Sequence, residues 1–242
     1  MRSNLRIGVY YTTMSARCEM GRFAASWGFI ASVALLLAGC GGGAQSGVER
    51  VCSANTFIPN YVPQLRRLLY WERFPVTVYF ERDENYSDYY RALALQGFDQ
   101  WVNATGSVVR YVVVGTPDAA QIKVYFDPST KDGLTTYSYY PSSGRLVSAR
   151  VEIGTKGNNA VDIRSVAAHE FGHAIGIDGH SANPDDMMYP TYTPNVPLQI
   201  TQSDLNTLKT AYCDYFIGRS RRAPHPAEEA PVEVTIVCPA SP

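Results

Sequence analysis

The stretch from His169 to His180 reads HEFGHAIGIDGH and holds three of the four histidines in the 242-residue sequence. His169 and His173 are four residues apart, so on a helix they lie on one face about one turn apart, where both imidazoles reach one metal ion. Glu170 sits about 100° further round the axis, where a carboxylate flanks the metal without binding it. That is the position of a general base. Gly176 can adopt positive φ, stop the helix and turn the chain back, so that His180 arrives from a different direction. Tetrahedral zinc needs such a direction, and three protein ligands leave a fourth position for water.

HExxH alone also occurs on ordinary helices, so its context decides. Eight residues past His180 comes Met188, within Asp186-Met187-Met188-Tyr189-Pro190. This segment resembles the Met-turn of the metzincin metallopeptidases, and HEFGHAIGI, the His180-Ser181 pair and Met188-Tyr189-Pro190 together resemble the matrixin branch, the relatives of matrix metalloproteinases. The resemblance implies an α+β fold, a metzincin-like catalytic domain with a twisted mixed β-sheet, an active-site helix, a backing helix and a C-terminal helix. It implies one catalytic Zn2+ on His169, His173 and His180, Glu170 as general base, and Met188 as an apolar floor beneath the metal. Pro190 and Tyr192 would line the pocket for the substrate side chain after the scissile bond. Tyr189 follows Met188 directly, as in matrixins, and is left out of the catalytic set. In one respect the sequence departs from the family, whose third histidine comes three residues after the glycine; here Gly176 and His180 are four apart. Gly179 can absorb the extra residue through positive φ. Asp178 is the rival ligand; His180 is preferred for its family spacing to Met188 and because a neutral imidazole suits zinc.

The elements that must position these residues are visible as periodicities. Val76, Val78 and Phe80 alternate with Thr77 and Tyr79, which predicts a strand. Ser87 and Asp88 open a helix with Tyr90, Leu93, Ala94, Phe98, Trp101 and Val102 on one face, the spacing of a stripe packed on a sheet. Strand-like runs follow at Val108 to Val114 and Gln121 to Phe126, and more flank the turn Pro141-Ser142-Ser143-Gly144. By the resemblance, residues 133–153 include the strand on which an extended substrate docks. That region has no histidine, so the family's second, structural zinc has no imidazole ligands here. Ca2+ through Asp127, Asp132 or carbonyls stays open as an alternative but is not indicated. Asp162 or a nearby asparagine caps the active-site helix, with Ile163, Val166, Ala167, Phe171, Ala174 and Ile175 on its buried side. Thr201 and Asp204, flanked by Ile200 and Leu205, open a last helix to about Tyr212. Ser203 stands where many matrixins carry an aspartate that bonds toward the Met-turn.

The N-terminal residues read as an address. Arg22, the apolar run Gly28 to Ala38 and Leu37-Ala38-Gly39-Cys40 resemble the signal and lipobox of a bacterial lipoprotein precursor, in which Cys40 is lipidated. The run is shorter than the ~20 residues of a membrane span, and Met20 would begin a signal of ordinary length. Residues 1–39 are therefore expected as a signal peptide (translation starting at Met20), 40–74 as a lipidated tether, 75–217 as the peptidase domain and 218–242 as a flexible tail. The segment from Cys40 to the first strand is too short for a folded inhibitory domain. Removing residues 1–39 takes away four arginines and one glutamate, making a chain of net charge −1 more acidic; nothing invites nucleic acid. Cys52, Cys213 and Cys238 allow at most one disulfide, Cys52 with Cys213 or Cys213 with Cys238. A zinc-silencing role for Cys52, like that of the matrixin propeptide cysteine, lacks the flanking motif in Arg50-Val51-Cys52-Ser53. His225, alone in a Pro- and charge-rich segment, has no partner ligand at metal spacing. The sequence thus predicts an exported, monomeric endopeptidase, lipid-anchored to a bacterial membrane and facing the periplasm or cell exterior, acting on proteins or peptides. The alternative is a catalytically silent, lipid-anchored zinc-binding surface protein.

Overall fold

Alternation of buried and half-buried residues builds the sheet around which the domain is organised. The computed structural model describes residues 52–218 and 229–238; Cys40, the signal segment, Met20 and His225 lie outside them. The elements run β1 (Arg67–Leu68), β2 (Val76–Phe80), α1 (Asp88–Ala104), β3 (Tyr111–Val113), β4 (Ile122–Asp127), β5 (Gly133–Tyr140), β6 (Arg145–Gly154), α2 (Ala160–Ala174), β7 (Ile177–Asp178), α3 (Gln202–Ala211), α4 (Cys213–Phe216) and β8 (Val232–Val237). Six strands form one mixed sheet in the order β3-β2-β4-β6-β5-β8. β2 pairs in parallel with β3 and β4, as does β4 with β6, whereas β5 is antiparallel to both β6 and β8. Among the described residues no helix is long and apolar enough to cross a membrane.

The two long helices lock the site to the sheet. Ser87 caps α1 by accepting from the Tyr89 amide, as side-chain oxygens at helix starts do. The α1 stripe packs on α2: the Phe98 and Phe171 rings stack at 4.3 Å between centroids, and Trp101 Nε1 donates to the Ala168 carbonyl at 2.8 Å. Gly97 permits this closeness, because a Cβ there would lie 2.5 Å from the Arg164 carbonyl oxygen and 2.9 Å from the Ala168 nitrogen. The cap of α2 is Asn159, whose Oδ1 accepts from Val161 N and Asp162 N, while Asp162 reaches back to the Asn159 amide. At the other end, carbonyls without helical partners would be costly to bury. Trp71 Nε1 donates to the Ala174 carbonyl at 2.9 Å and the Tyr212 hydroxyl to that of Ile175 at 2.6 Å.

Two boundaries differ from expectation. Residues 52–74 are part of the folded domain: Tyr61, Leu69 and Trp71 are buried in the core, β1 pairs with β7, and a Cys52–Cys213 disulfide ties the entry to α4. Apolar residues scattered among prolines and arginines have no regular period, so only tertiary contacts reveal their burial. Cys52 is therefore not a metal ligand. Nor is 218–242 a tail throughout, since residues 232–237 form β8 against β5. The alternation Val232, Val234, Ile236 was masked by its charged, proline-rich surroundings, and its partner strand is about a hundred residues distant in the chain.

Candidate metal centre

α2 delivers His169 and His173 on one face, and the chain after Gly176 brings in His180. Gly176 and Gly179 have φ of 124° and 140°, values that residues with a side chain rarely adopt. Gly179 thus lets the extra residue be accommodated. Asp178 does not join the imidazoles: it pairs with Arg66 at 2.6 Å and is fixed in β7 opposite Arg67.

The ring nitrogens are assigned by their acceptors. His169 Nδ1 lies 2.8 Å from the Met187 carbonyl oxygen and His173 Nδ1 2.8 Å from that of Ile177. A carbonyl can only accept, so both Nδ1 atoms carry hydrogen and both Nε2 atoms present lone pairs. Yet the two Nε2 atoms stand 3.1 Å apart. Two facing lone pairs at that distance need a cation between them, and two nitrogens on one tetrahedral zinc would be separated by roughly 3.4 Å. The ligand atoms of His169, His173, His180 and Cys238 all fall within 4.8 Å of one another. Burial keeps the imidazoles neutral: it pushes His169 down to about 3, with the neighbouring His180 adding to the effect, and holds His173 well below its usual value. His180 is lowered by partial burial and by Arg66. Neutral imidazole is the form that binds metal, so the donor set fits zinc.

Glu170 lies wholly buried beside this cluster. Burial pushes its carboxyl up to about 7, against the stabilising bonds from Thr135 and Cys238. Thr135 Oγ1 donates to Oε2 at 2.6 Å. A Cβ on Gly133 would overlap the Glu170 carboxylate, so glycine at the head of β5 makes room for it. Neither Gly133 nor Thr135 was singled out from sequence, although a threonine at an inward position of an alternating strand was a usable signal.

Met188 is fully buried and its thioether packs against Gly172. A Cβ at Gly172 would collide with the Met188 sulfur and lie 2.9 Å from Trp101 Cζ2. Gly172→Ala is therefore expected to destabilise the protein by roughly 1–3 kcal/mol through overpacking, despite the ~1 kcal/mol better helix propensity of alanine; the urea midpoint measures it. Asp204 holds the turn from outside. Its Oδ2 accepts from Met187 N at 2.8 Å and its Oδ1 from Met188 N at 3.3 Å. The bond toward the Met-turn that Ser203 could not make thus comes from the next residue, which also serves as the acid of the Thr201 capping box. Pro190, Tyr192, Val166 and Leu198 line one cavity with His169, Glu170 and Cys238.

The family described as Matrixin matches residues 71–213. Macrophage metalloelastase from Rattus norvegicus is 28% identical over 129 residues, covering 48% of this chain and 27% of that protein. Metalloendoproteinase 4-MMP from Arabidopsis thaliana is 32% identical over 121 residues, 43% of this chain and 34% of its own length. Interstitial collagenase from Bos taurus is 31% identical over 159 residues, 59% of this chain and 32% of the relative. The chain therefore spans about a third or less of these relatives.

Proposed function

Starting from the fact that this chain belongs to the matrixin family, we propose that it is a zinc-dependent endopeptidase of extracytoplasmic proteins or peptides, with Glu170 as its general base. The observation that carries this reading is the convergence of three neutral imidazoles, two buried and His180 half-buried, beside a buried carboxylate. His169, His173 and His180 would hold the metal. When bound, zinc supplies a Lewis acid that polarises a carbonyl and lowers the pKa of a water toward ~7. Glu170 would take a proton from the attacking water on its carboxylate and hand it to the departing amine. Burial raises the Glu170 carboxyl above the ordinary carboxylate range, the direction that favours proton exchange by a general base. Thr135 keeps the carboxylate oriented through its bond to Oε2. Asp204 fixes the Met-turn backbone, so the Met187 carbonyl orients His169, the kind of outer support that typically changes metal affinity 10–100-fold. Pro190 and Tyr192 form a wall of the pocket for the substrate side chain after the scissile bond.

The test is casein or a peptide library incubated with purified residues 41–242 of known zinc content. Cleavage is expected to vanish on chelation and return with zinc; a zinc-loaded protein that cleaves nothing, in any form, overturns the reading. Lipidation of Cys40 would place the domain, as a monomer, on the outer side of a bacterial membrane by a short glycine-rich tether. Radiolabelled palmitate should enter the wild-type protein and not Cys40→Ala. A second reading, a silent zinc-binding surface protein, has one observation in its favour: the Cys238 sulfur joins the three imidazoles as a fourth converging donor, 3.1 Å from His169 Nε2.

A further inference from the structure

Without β8, β5 would be the edge of the sheet beside the metal centre, since its other neighbour is β6. β8 runs antiparallel to β5 from Val232 opposite Tyr139 to Val237 opposite Leu134. Its hold is mostly main chain. Ile236 is the one residue of the strand that is buried, while Val232 and Val237 are 39% and 63% exposed. The Thr136 and Thr235 hydroxyls share a bond at 2.8 Å, and Glu229 accepts from the Ser142 amide at 2.6 Å. An added strand held by backbone pairing with alternate side chains facing pockets is how an extended peptide is recognised at a sheet edge. The next residue is Cys238. Its sulfur lies 3.1, 3.5 and 3.7 Å from the Nε2 atoms of His169, His180 and His173, and its thiol is also bonded to Glu170. It is only 7% exposed and is the free cysteine among the described residues.

We propose that residues 229–238 are a built-in inhibitor, in which β8 occupies the substrate's strand position on β5 and Cys238 supplies a fourth, sulfur ligand to the zinc held by His169, His173 and His180. The inhibitory consequence rests on the endopeptidase reading; the ligand assignment does not. Three imidazoles and one thiolate complete a tetrahedral shell of the closed, structural type. A coordinating dication deprotonates a thiol outright, so formation of the Zn–S bond breaks the S–H bond and releases one proton to solvent. The same sulfur screens Glu170 from incoming water. Opening requires only that Zn–S breaks and a short, largely exposed strand leaves its partner.

The experiment uses the chain from residue 41 to 242, its Cys238→Ala and Cys238→Ser variants, and a chain ending at 228, each loaded with Zn2+ or Co2+. In the cobalt wild-type protein a thiolate-to-cobalt charge-transfer band is expected in the near ultraviolet, absent from both Cys238 variants and from the truncated chain. Iodoacetamide should alkylate Cys238 slowly in the zinc protein and at least ten times faster after chelation. Peptide cleavage by Cys238→Ala should exceed wild type at least tenfold. No charge-transfer band in the wild-type protein, which needs no variant to fold, overturns the proposal whatever the activity. A band with equal cleavage by wild type and Cys238→Ala overturns the inhibitory role. If the band is present and every zinc-loaded form is inert, the ligand assignment stands and it is the endopeptidase reading that fails.

Discussion

Glu170→Ala is expected to lower peptide cleavage by about 10²–10⁴-fold, the usual contribution of a positioned general base, while zinc remains bound. Truncation removes the carboxylate proposed as the proton acceptor and leaves all three imidazoles in place, because Glu170 is not among the group of converging ligands. Among the described residues its side chain is hydrogen-bonded by Thr135 and the Cys238 thiol. Neither becomes a buried charge when the carboxylate is lost, so folding should survive. Zinc content by atomic absorption and kcat/KM on a peptide, measured in the full chain and again in the Cys238→Ala background, give the result. Loss of zinc together with activity would assign Glu170 a structural role; undiminished cleavage would remove it from the mechanism.

Asp204→Ala should produce the largest loss of stability, on the order of 3–5 kcal/mol, because several buried donors lose one shared acceptor. Asp204 is fully buried. Besides Met187 N and Met188 N it accepts from Thr201 N at 2.9 Å and from the Tyr61 hydroxyl at 2.8 Å. These donors, together with the Thr201 hydroxyl at 2.9 Å, would lose this partner at once, each unsatisfied group costing about 1–3 kcal/mol where water cannot replace it. Local relaxation keeps the total below that sum. Thermal unfolding should fall by roughly 10 °C, and zinc affinity by about 10–100-fold, since the loosened turn carries the carbonyl that orients His169. Unchanged zinc affinity in a folded variant would limit Asp204 to the fold.

What could be read from sequence was what repeats or clusters locally. The i, i+4 histidines, the caps at Ser87, at Thr201 and at Asp162 or a nearby asparagine, the alternation in β2 and the strand-like runs flanking the turn at 141–144 are short-range patterns, and the structure holds those residues in those elements. What escaped depends on pairings across the chain. Thr135 meets Glu170 from 35 residues away, Tyr61 meets Asp204 from 143, and Cys238 meets His169 from 69. Cys238 was weighed only as a disulfide partner, because β8 lay hidden in a stretch whose composition reads as solvated. The expected docking strand was placed at residues 133–153, and β5 lies there; that its outer edge would already carry the chain's own C-terminal segment left no local trace.

The disulfide has a topological consequence. By joining Cys52 to Cys213, 161 residues apart, it makes the metal site and nearly all of its supporting elements one covalent ring. A single proteolytic nick anywhere inside that ring leaves both fragments attached. Arg219, Arg221 and Arg222 lie outside it. One cut there would leave the ring whole and turn β8 from a tethered neighbour at millimolar effective concentration into a separate peptide, free to be diluted away.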